Sequence, residues 1–164
     1  MDTQPSIRPA EREDRPAIWA ILEPVLRAGE TYALDRDLTE DAALDYWLGT
    51  DRTSFVALLD GEIRGTYYLK RNQAGGGSHV ANCGYAVSEK ARGRGLARAM
   101  ALHSLSEAGQ RGFRAMQFNF VVEANAAAVH LWRSLGFAEV GRLPKAFDHP
   151  VDGPVDALVF WRDL

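Results

Sequence analysis

The sequence has a single cysteine, Cys83, and no run of apolar residues long enough to cross a bilayer. One cysteine excludes a disulfide within the chain. Because no base is obviously paired with Cys83, we expect it to be a small buried packing residue rather than a nucleophile. No segment near the start of the chain has the apolar core of a secretory signal. These absences predict a cytoplasmic protein that does not contact a membrane.

Positive charge is also scarce. The 19 lysines and arginines are outnumbered by 22 aspartates and glutamates, so the formal net charge is −3. A chain without an overall positive field is a poor ligand for nucleic acid or an anionic membrane, and neither is expected as a partner. The four histidines do not have the spacing of a metal site, so no metal is expected. His149 beside Asp148 could instead line a pocket.

Length and composition predict one globular domain over residues 1–164, since 46% of the residues are hydrophobic and 25% are charged. After a short edge strand and two helices, three strands over 53–59, 63–69 and 79–87 form an antiparallel meander. A helix over 93–110 then leads to a strand over 115–122, a crossover that suits a parallel pair. The expected fold is α/β, a mixed twisted sheet of about seven strands with helices on both faces.

The last part of the chain predicts a helix from Asn125 to Gly136, a strand over 138–143, a loop over 144–154 and a final strand over 155–161. The final strand is very apolar, and we place it at an edge of the sheet. An exposed apolar edge invites aggregation. We therefore expect this strand to be covered in a homodimer.

The stretch between the third meander strand and the next helix is rich in glycine and arginine. Glycine lets a ligand approach the main chain, and a helix start offers unpaired N–H groups and a dipole that favours an anion. Arginine side chains add donors suited to phosphate oxygens. The pattern predicts a pyrophosphate cradle, although a solvated helix start is the alternative. The residues are Arg92, Gly93, Arg94, Gly95, Leu96 and Ala97.

This Arg-x-x-Gly-x-Ala loop is followed by Asn125-Ala126-Ala127-Ala128-Val129-His130-Leu131-Trp132-Arg133-Ser134-Leu135-Gly136-Phe137. In order and spacing, the two segments together resemble the GNAT N-acetyltransferase superfamily. The resemblance implies the GNAT fold, with strands four and five splayed apart to admit the pantetheine arm of acetyl-coenzyme A. It implies that the cosubstrate is bound by Tyr85, Val87, Arg92, Gly93, Arg94, Gly95, Leu96, Ala97, Asn125, Ala128 and Trp132.

One residue departs from the family pattern. The family often has tyrosine at the position of Trp132, where it can protonate the departing thiolate. The indole N–H of tryptophan does not ionise usefully, so Trp132 is expected to pack on the cosubstrate and not to act as that acid. A thiol with a pKa near that of cysteine, about 8.5, needs little help to leave.

A closer resemblance lies in residues 77–85, 118–121 and 141–144, which look like the subgroup that includes the yeast acetyltransferase for azetidine-2-carboxylate and related cyclic imino acids. It implies that Asn82 and Asn119 face the acceptor. Asn82 would contact its carboxylate or a nearby polar group, and Asn119 the reacting amine or the oxyanion. The alternative is that each is a strand asparagine satisfied by main chain. Tyr32 and Phe147, in flanking loops, would line the acceptor site, or else simply pack.

The predicted activity is direct acetyl transfer from acetyl-coenzyme A to a small amine or imino acid, without an acyl-enzyme. No carboxylate base stands on strands 79–87 or 115–122, so water in the cleft is expected to carry the amine proton away. Two alternatives remain open. One is acetylation of a protein N-terminus or lysine, and the other is a non-catalytic sensor of acyl-coenzyme A.

Overall fold

The computed structural model describes residues 4–164 and confirms the expected α/β fold. A seven-stranded sheet has the order β1-β2-β3-β4-β5-β7-β6, and every neighbouring pair is antiparallel except β4 and β5. Within these residues, no helix is long and apolar enough to cross a membrane. The elements are β1 Ser6–Pro9, α1 Arg15–Ala28, α2 Glu40–Trp47, β2 Arg52–Leu59, β3 Glu62–Arg71, β4 Val80–Val87, α3 Leu96–Gln110, β5 Ala115–Val122, α4 Ala126–Ser134, β6 Ala138–His149 and β7 Gly153–Asp163.

The helix ends follow from local chemistry. Thr39 begins α2, because its side chain accepts a hydrogen bond from the Ala42 N–H at 3.2 Å. Gly29 ends α1 in the left-handed conformation with φ of 65°. Helix α3 begins at Leu96, three residues later than predicted. Gly93 and Gly95 have φ of 73° and 77°, which a right-handed helix does not allow.

Two hydrophobic cores lie on opposite faces of the sheet. The α3–α4 face carries residues from α3 and α4 together with Ala81, Cys83 and Tyr85 of β4. The α1–α2 face carries residues from α1 and α2 together with Tyr68 and Ala86. Because side chains alternate along a strand, Asn82 and Gly84 point to the α1–α2 face. Strand β4 therefore contributes to both cores.

Strands β4 and β5 separate soon after they begin to pair. Their register contains only two residue pairs, Val80 with Ala115 and Ala81 with Met116. Beyond these pairs the strands diverge, and we call the resulting gap the splay. The separation predicted between strands four and five is thereby confirmed. The splay leaves main-chain groups on the facing edges of β4 and β5 without a strand partner.

The C-terminal hairpin differs from the prediction. Strand β6 continues to His149 through the predicted loop, and a register shift between Leu143 and Phe147 absorbs the left-handed Lys145, whose φ is 51°. Strand β7 lies between β5 and β6, so its predicted position at an edge is wrong. Ala157, Leu158 and Phe160 of this strand are buried by neighbours in the same chain, and its other apolar residues are half-buried. The edge is β6, where Pro144 is tolerated because an edge strand needs fewer N–H donors.

The sheet contains one very close side-chain approach on the α1–α2 face. The ring of Tyr68 lies over Gly84, and a Cβ at Gly84 would be 2.6 Å from its Cε1 atom. Tyr68 is held there by Trp47, whose ring centroid is 4.9 Å away, and by the Arg52 guanidinium at 4.8 Å. Only glycine fits beneath this ring.

Gly84→Ala should therefore destabilise the protein by about 1–3 kcal/mol, since Tyr68 has to move within a packed core. The measurement is the free energy of unfolding from urea titration. Gly141→Ala is the matched control, because its Cβ would meet Val159 at an ordinary 3.5 Å. Equal losses in the two variants would contradict the steric explanation.

Candidate active site

The loop between β4 and α3 exposes its main chain between two buried anchors. Ala91 and Leu96 are 2% and 1% exposed, and both belong to the core of the α3–α4 face. Gly95 precedes α3 without a side-chain cap. A Cβ at Gly93 or Gly95 would meet no atom within 4 Å. The main chain at Gly93 and Gly95 thus stands beside open space directly before α3, an arrangement suited to binding phosphate at a helix start.

The two arginines of the loop have acidic partners. Arg92 lies 3.5 Å from Glu89, and both side chains are 73% exposed. Arg94 lies 2.8 Å from Asp60, in the turn between β2 and β3. Exposed ion pairs contribute only about 0–1 kcal/mol, so both guanidinium groups can exchange a carboxylate for a phosphate at little cost. The prediction that they bind pyrophosphate stays a prediction.

Helix α4 borders the far side of the splay. Asn125 caps this helix through Oδ1, which accepts from the Ala128 N–H at 3.3 Å. Its Nδ2 group is therefore the part that can donate to a ligand. Trp132 is 7% exposed and lies against Phe118 and Tyr85, with ring centroids 4.4 and 5.1 Å away. Trp132 is a packing residue at the border of the splay.

Tyr85 offers a ligand its main chain and not its hydroxyl. That hydroxyl lies 2.6 Å from Ser104 Oγ in the core beneath α3, and burial raises its pKa well above the ordinary value. The main-chain oxygen of Tyr85 accepts a hydrogen bond from the Tyr32 hydroxyl at 2.6 Å. Val87 is half-buried and packs on the same core. Tyr85 and Val87 thus lie on β4 between the splay and the loop before α3, and their contact with the cosubstrate stays a prediction.

Tyr32 fastens the link between α1 and α2 to β4. Its ring packs edge-on against Trp47 at 5.9 Å, while its hydroxyl donates to Tyr85. Tyr32 therefore packs against α2 and β4, and its contact with an acceptor stays a prediction. Burial raises its pKa, so the hydroxyl keeps its proton. Because this proton is donated in the hydrogen bond to Tyr85, the hydroxyl oxygen of Tyr32 can still accept a hydrogen bond from a ligand.

Asn82 and Asn119 share the α1–α2 face and meet through Gln117. Asn82 is buried, and its Nδ2 donates to the main-chain oxygen of Gln117 at 2.9 Å. Asn119 is exposed, accepts from Gln117 Nε2 at 2.9 Å and donates to Asn72 Oδ1 at 2.7 Å. The amide of Asn82 therefore joins β4 to β5 where the splay begins. The amide of Asn119 lies on the exposed surface of β5, two residues beyond Gln117.

Phe147 lies on β6 and not in the loop where the sequence placed it. It is 9% exposed, and its ring meets Phe120 of β5 edge-on at 6.2 Å. Phe120 follows Asn119 in the chain. The ring of Phe147 thus reaches back across β7 toward β5, and its contact with an acceptor stays a prediction.

Sequence reasoning missed four residues beside the asparagines. Tyr46 and Tyr68 bring their hydroxyls within 3.4 Å of one another on the α1–α2 face. Gln117 and Asn72 complete the chain of amides around Asn119. No local pattern in the sequence points to these residues, because the pairing of Tyr68 with Gly84 appears only in the register of β3 and β4.

Cys83 is a buried packing residue, as predicted. It is 7% exposed, and burial raises the pKa of its thiol to about 12. A thiol that stays protonated at neutral pH cannot form an acyl-enzyme efficiently. In the described part of the chain, no group of three or more histidine, cysteine or acidic side chains is arranged to hold a metal ion.

Known proteins resemble this chain in sequence and in fold. The model of the Acetyltransferase (GNAT) family matches residues 15–137. N-acetyltransferase aca1 of Schizosaccharomyces pombe is 29% identical over 154 residues, covering 82% of this chain and 73% of that protein. A GCN5-related N-acetyltransferase from Kribbella flavida superimposes with a TM-score of 0.93 at 43% identity, covering 98% of both chains.

The fold is also that of yncA, a putative acetyltransferase from Salmonella typhimurium solved with its cofactor acetyl-CoA. The TM-score is 0.82 at 21% identity, covering 99% of this chain and 95% of that one. The family match spans most of the chain. The protein therefore belongs to the GNAT acetyltransferase family, and it is an acetyltransferase enzyme.

Gly95→Asp should raise the KM for acetyl-coenzyme A by about ten- to a hundredfold, because a carboxylate would stand where phosphate is expected. Steady-state kinetics give that constant. Gly95→Ala is the matched control, since it introduces the same backbone strain at φ of 77° without the charge. A KM that is unchanged in Gly95→Asp would contradict the pyrophosphate assignment.

The two asparagines should differ in kinetics. Asn119→Ala should lower kcat by about a hundredfold if it removes one oxyanion donor. Asn82→Ala should raise the KM for the acceptor more than it lowers kcat. Steady-state rates with a good acceptor measure both effects, and the affinity for acetyl-coenzyme A, which should stay near wild type, is the control. Normal rates in both variants would mean that the asparagines are structural.

Proposed function

We propose that this protein transfers the acetyl group of acetyl-coenzyme A to the nitrogen of a small amine or imino acid. The observation that carries the proposal is the alignment of three features along β4. The open start of α3 follows the C-terminal end of β4, and the splay runs beside its middle. The amide and phenol groups of the α1–α2 face lie on the side of the sheet opposite to α3 and α4. A long nucleotide thioester and a small polar acceptor can thus meet from opposite faces of one sheet.

The residues present fit acetyl-coenzyme A. The main chain of Gly93 and Gly95 is open to a pyrophosphate, and the unpaired edge of β4 can bond to an extended pantetheine amide. Asn125 Nδ2 and the surface of Trp132 border the same gap. When bound, acetyl-coenzyme A supplies the acetyl group as a thioester.

The chain then has to aim the acceptor and stabilise charge. A C–N bond forms at the thioester carbonyl, the C–S bond breaks, the thiolate leaves and the amine loses a proton. Asn119 can donate to the carbonyl oxygen as it gains charge or hold the amine, and Asn82 can hold a polar group of the acceptor. Because β4 and β5 carry no carboxylate, we assign proton removal to water in the cleft.

The position of Tyr32 supports a small acceptor. Its hydroxyl bonds to Tyr85 and so holds the link between α1 and α2 against β4. We expect this link to close one end of any groove that a peptide would occupy. Acetylation of a protein N-terminus or lysine requires that groove to be open at both ends. A small molecule requires only a pocket.

The test is a panel of amines, amino acids and imino acids, azetidine-2-carboxylate among them, assayed by thiol release and by mass spectrometry of the product. Peptides with free N-termini and lysines are assayed in parallel. Acetylation of small acceptors at rates well above those of the peptides is the expected result. Preference for peptides would overturn the small-molecule assignment, and binding of acetyl-coenzyme A without turnover on any acceptor would indicate a sensor.

A homodimer and a cytoplasmic location stay part of the proposal. Strand β7 is covered within the chain, so the support for a dimer now comes from β6, an edge of twelve residues with Val140 and Leu143 at 59% and 41% exposure. Pairing this edge with a second copy would cover both side chains. Light scattering that gives the monomer mass at micromolar concentration would contradict the dimer.

A further inference from the structure

A row of polar side chains crosses the sheet on the α1–α2 face. Arg52 of β2 pairs with Lys70 of β3, and Lys70 pairs with Asn82 of β4. The row continues to β5, because Asn82 is bonded to Gln117. Residues that pair directly across strands project from the same face. Lys70 therefore emerges on the acceptor side of the sheet, in the position next to Asn82.

The charge on this part of the face is not balanced. Arg52 is bonded to Asp51 at 2.7 Å and lies over the rings of Tyr46 and Tyr68 at 4.9 and 4.8 Å. Its Nη1 atom is buried without a hydrogen-bond partner among the described residues. The hydrogen bond from Arg52 lowers the pKa of Asp51, and the charge of Lys70 lowers it further. One carboxylate thus faces two cations.

We propose that Lys70 binds a carboxylate of the acceptor, which makes the acceptor an α-amino or α-imino acid and not a simple amine. This inference rests on the proposed function. Neighbouring strands lie about 4.8 Å apart, so Lys70 stands one strand from Asn82, a separation that its flexible stem can span. An α-carboxylate lies a few bonds from its amine, so an amine held between Asn119 and Asn82 would bring it within reach of the Lys70 stem.

The geometry assigns the acceptor carboxylate to Lys70 and not to Arg52, which is farther from β4. Arg52 begins two strands, about 10 Å, from β4, and its guanidinium is already held by Asp51 and two tyrosine rings. Lys70 is half-buried, and no ion pair of Lys70 is found within residues 4–164. An acceptor carboxylate would neutralise the excess positive charge of the group formed by Arg52, Lys70 and Asp51.

The experiment compares acids with the amines that lack only the carboxylate. The pairs are L-azetidine-2-carboxylate with azetidine, L-leucine with isopentylamine and L-phenylalanine with phenethylamine. The wild-type enzyme should prefer the acid in the pair it acetylates best. Lys70→Met should raise the KM for that acid about ten- to a hundredfold, as expected for loss of a charged hydrogen bond, with kcat nearly unchanged. The KM for the paired amine should not change.

Arg71→Met is the matched control, because Arg71 is the next residue of β3 and projects from the opposite face. It should leave both constants unchanged, and Lys70→Arg should recover most of the affinity for the acid. Urea midpoints verify that each variant folds. If Lys70→Met affects acid and amine equally, or neither, the inference is wrong while the proposed function stands. If the wild-type enzyme acetylates peptides and no member of any pair, the proposed function and this inference both fail.

Discussion

The whole site depends on a sheet that stops pairing partway along one strand. Strands β4 and β5 make two parallel residue pairs, and the side chain of Asn82 adds one more link to β5 before the strands diverge. Main-chain N–H and C=O groups are costly to leave unsatisfied in a protein interior, so an unpaired strand edge calls for another partner. Tyr32 supplies one such partner at Tyr85. An extended chain of amides, such as pantetheine, is suited to supply others.

Because its side chains alternate, strand β4 contributes residues to both faces of the sheet. Tyr85 points into the aromatic core beneath α3 and α4, where Trp132 and Phe118 support the wall of the splay. Asn82 and Gly84 point to the opposite face, where Gly84 leaves room for Tyr68. The two faces of the sheet, to which we assign the nucleotide and the acceptor in our proposal, are therefore built from successive residues of one strand. A shift of register by one residue would exchange them.

Much of this architecture was predictable from local signals. Glycines at 93 and 95, the apolar periodicities and the Asp60-Gly61 turn predicted the order of elements and the loop before α3. The errors have physical causes. Strand β7 enters the sheet between β5 and β6, and the position of a strand in a sheet is a long-range property that its own composition does not encode.

Strand β6 was shortened in the prediction because Pro144, Pro150 and Gly153 are ordinary turn residues. A bulge at Lys145 let the strand continue past the first of them. For the site, the asparagines came from a resemblance, whereas Lys70 and Tyr68 became visible only through the pairing register of β2, β3 and β4. Register joins residues far apart in the chain, so it has to be observed.

The unpaired edge of β4 also has a consequence for the motions of the protein. Along this strand, alternate amides point toward β3, which pairs with β4 from Ala81 to Val87, and the others point toward the splay. The first set is shielded by a full ladder, and the second has no ladder beyond Ala81. Hydrogen exchange should therefore be fast and slow at alternate residues of a single strand. Such a strand is held by hydrogen bonds along the edge that pairs with β3. Along the edge that faces the splay, its amides are open to exchange.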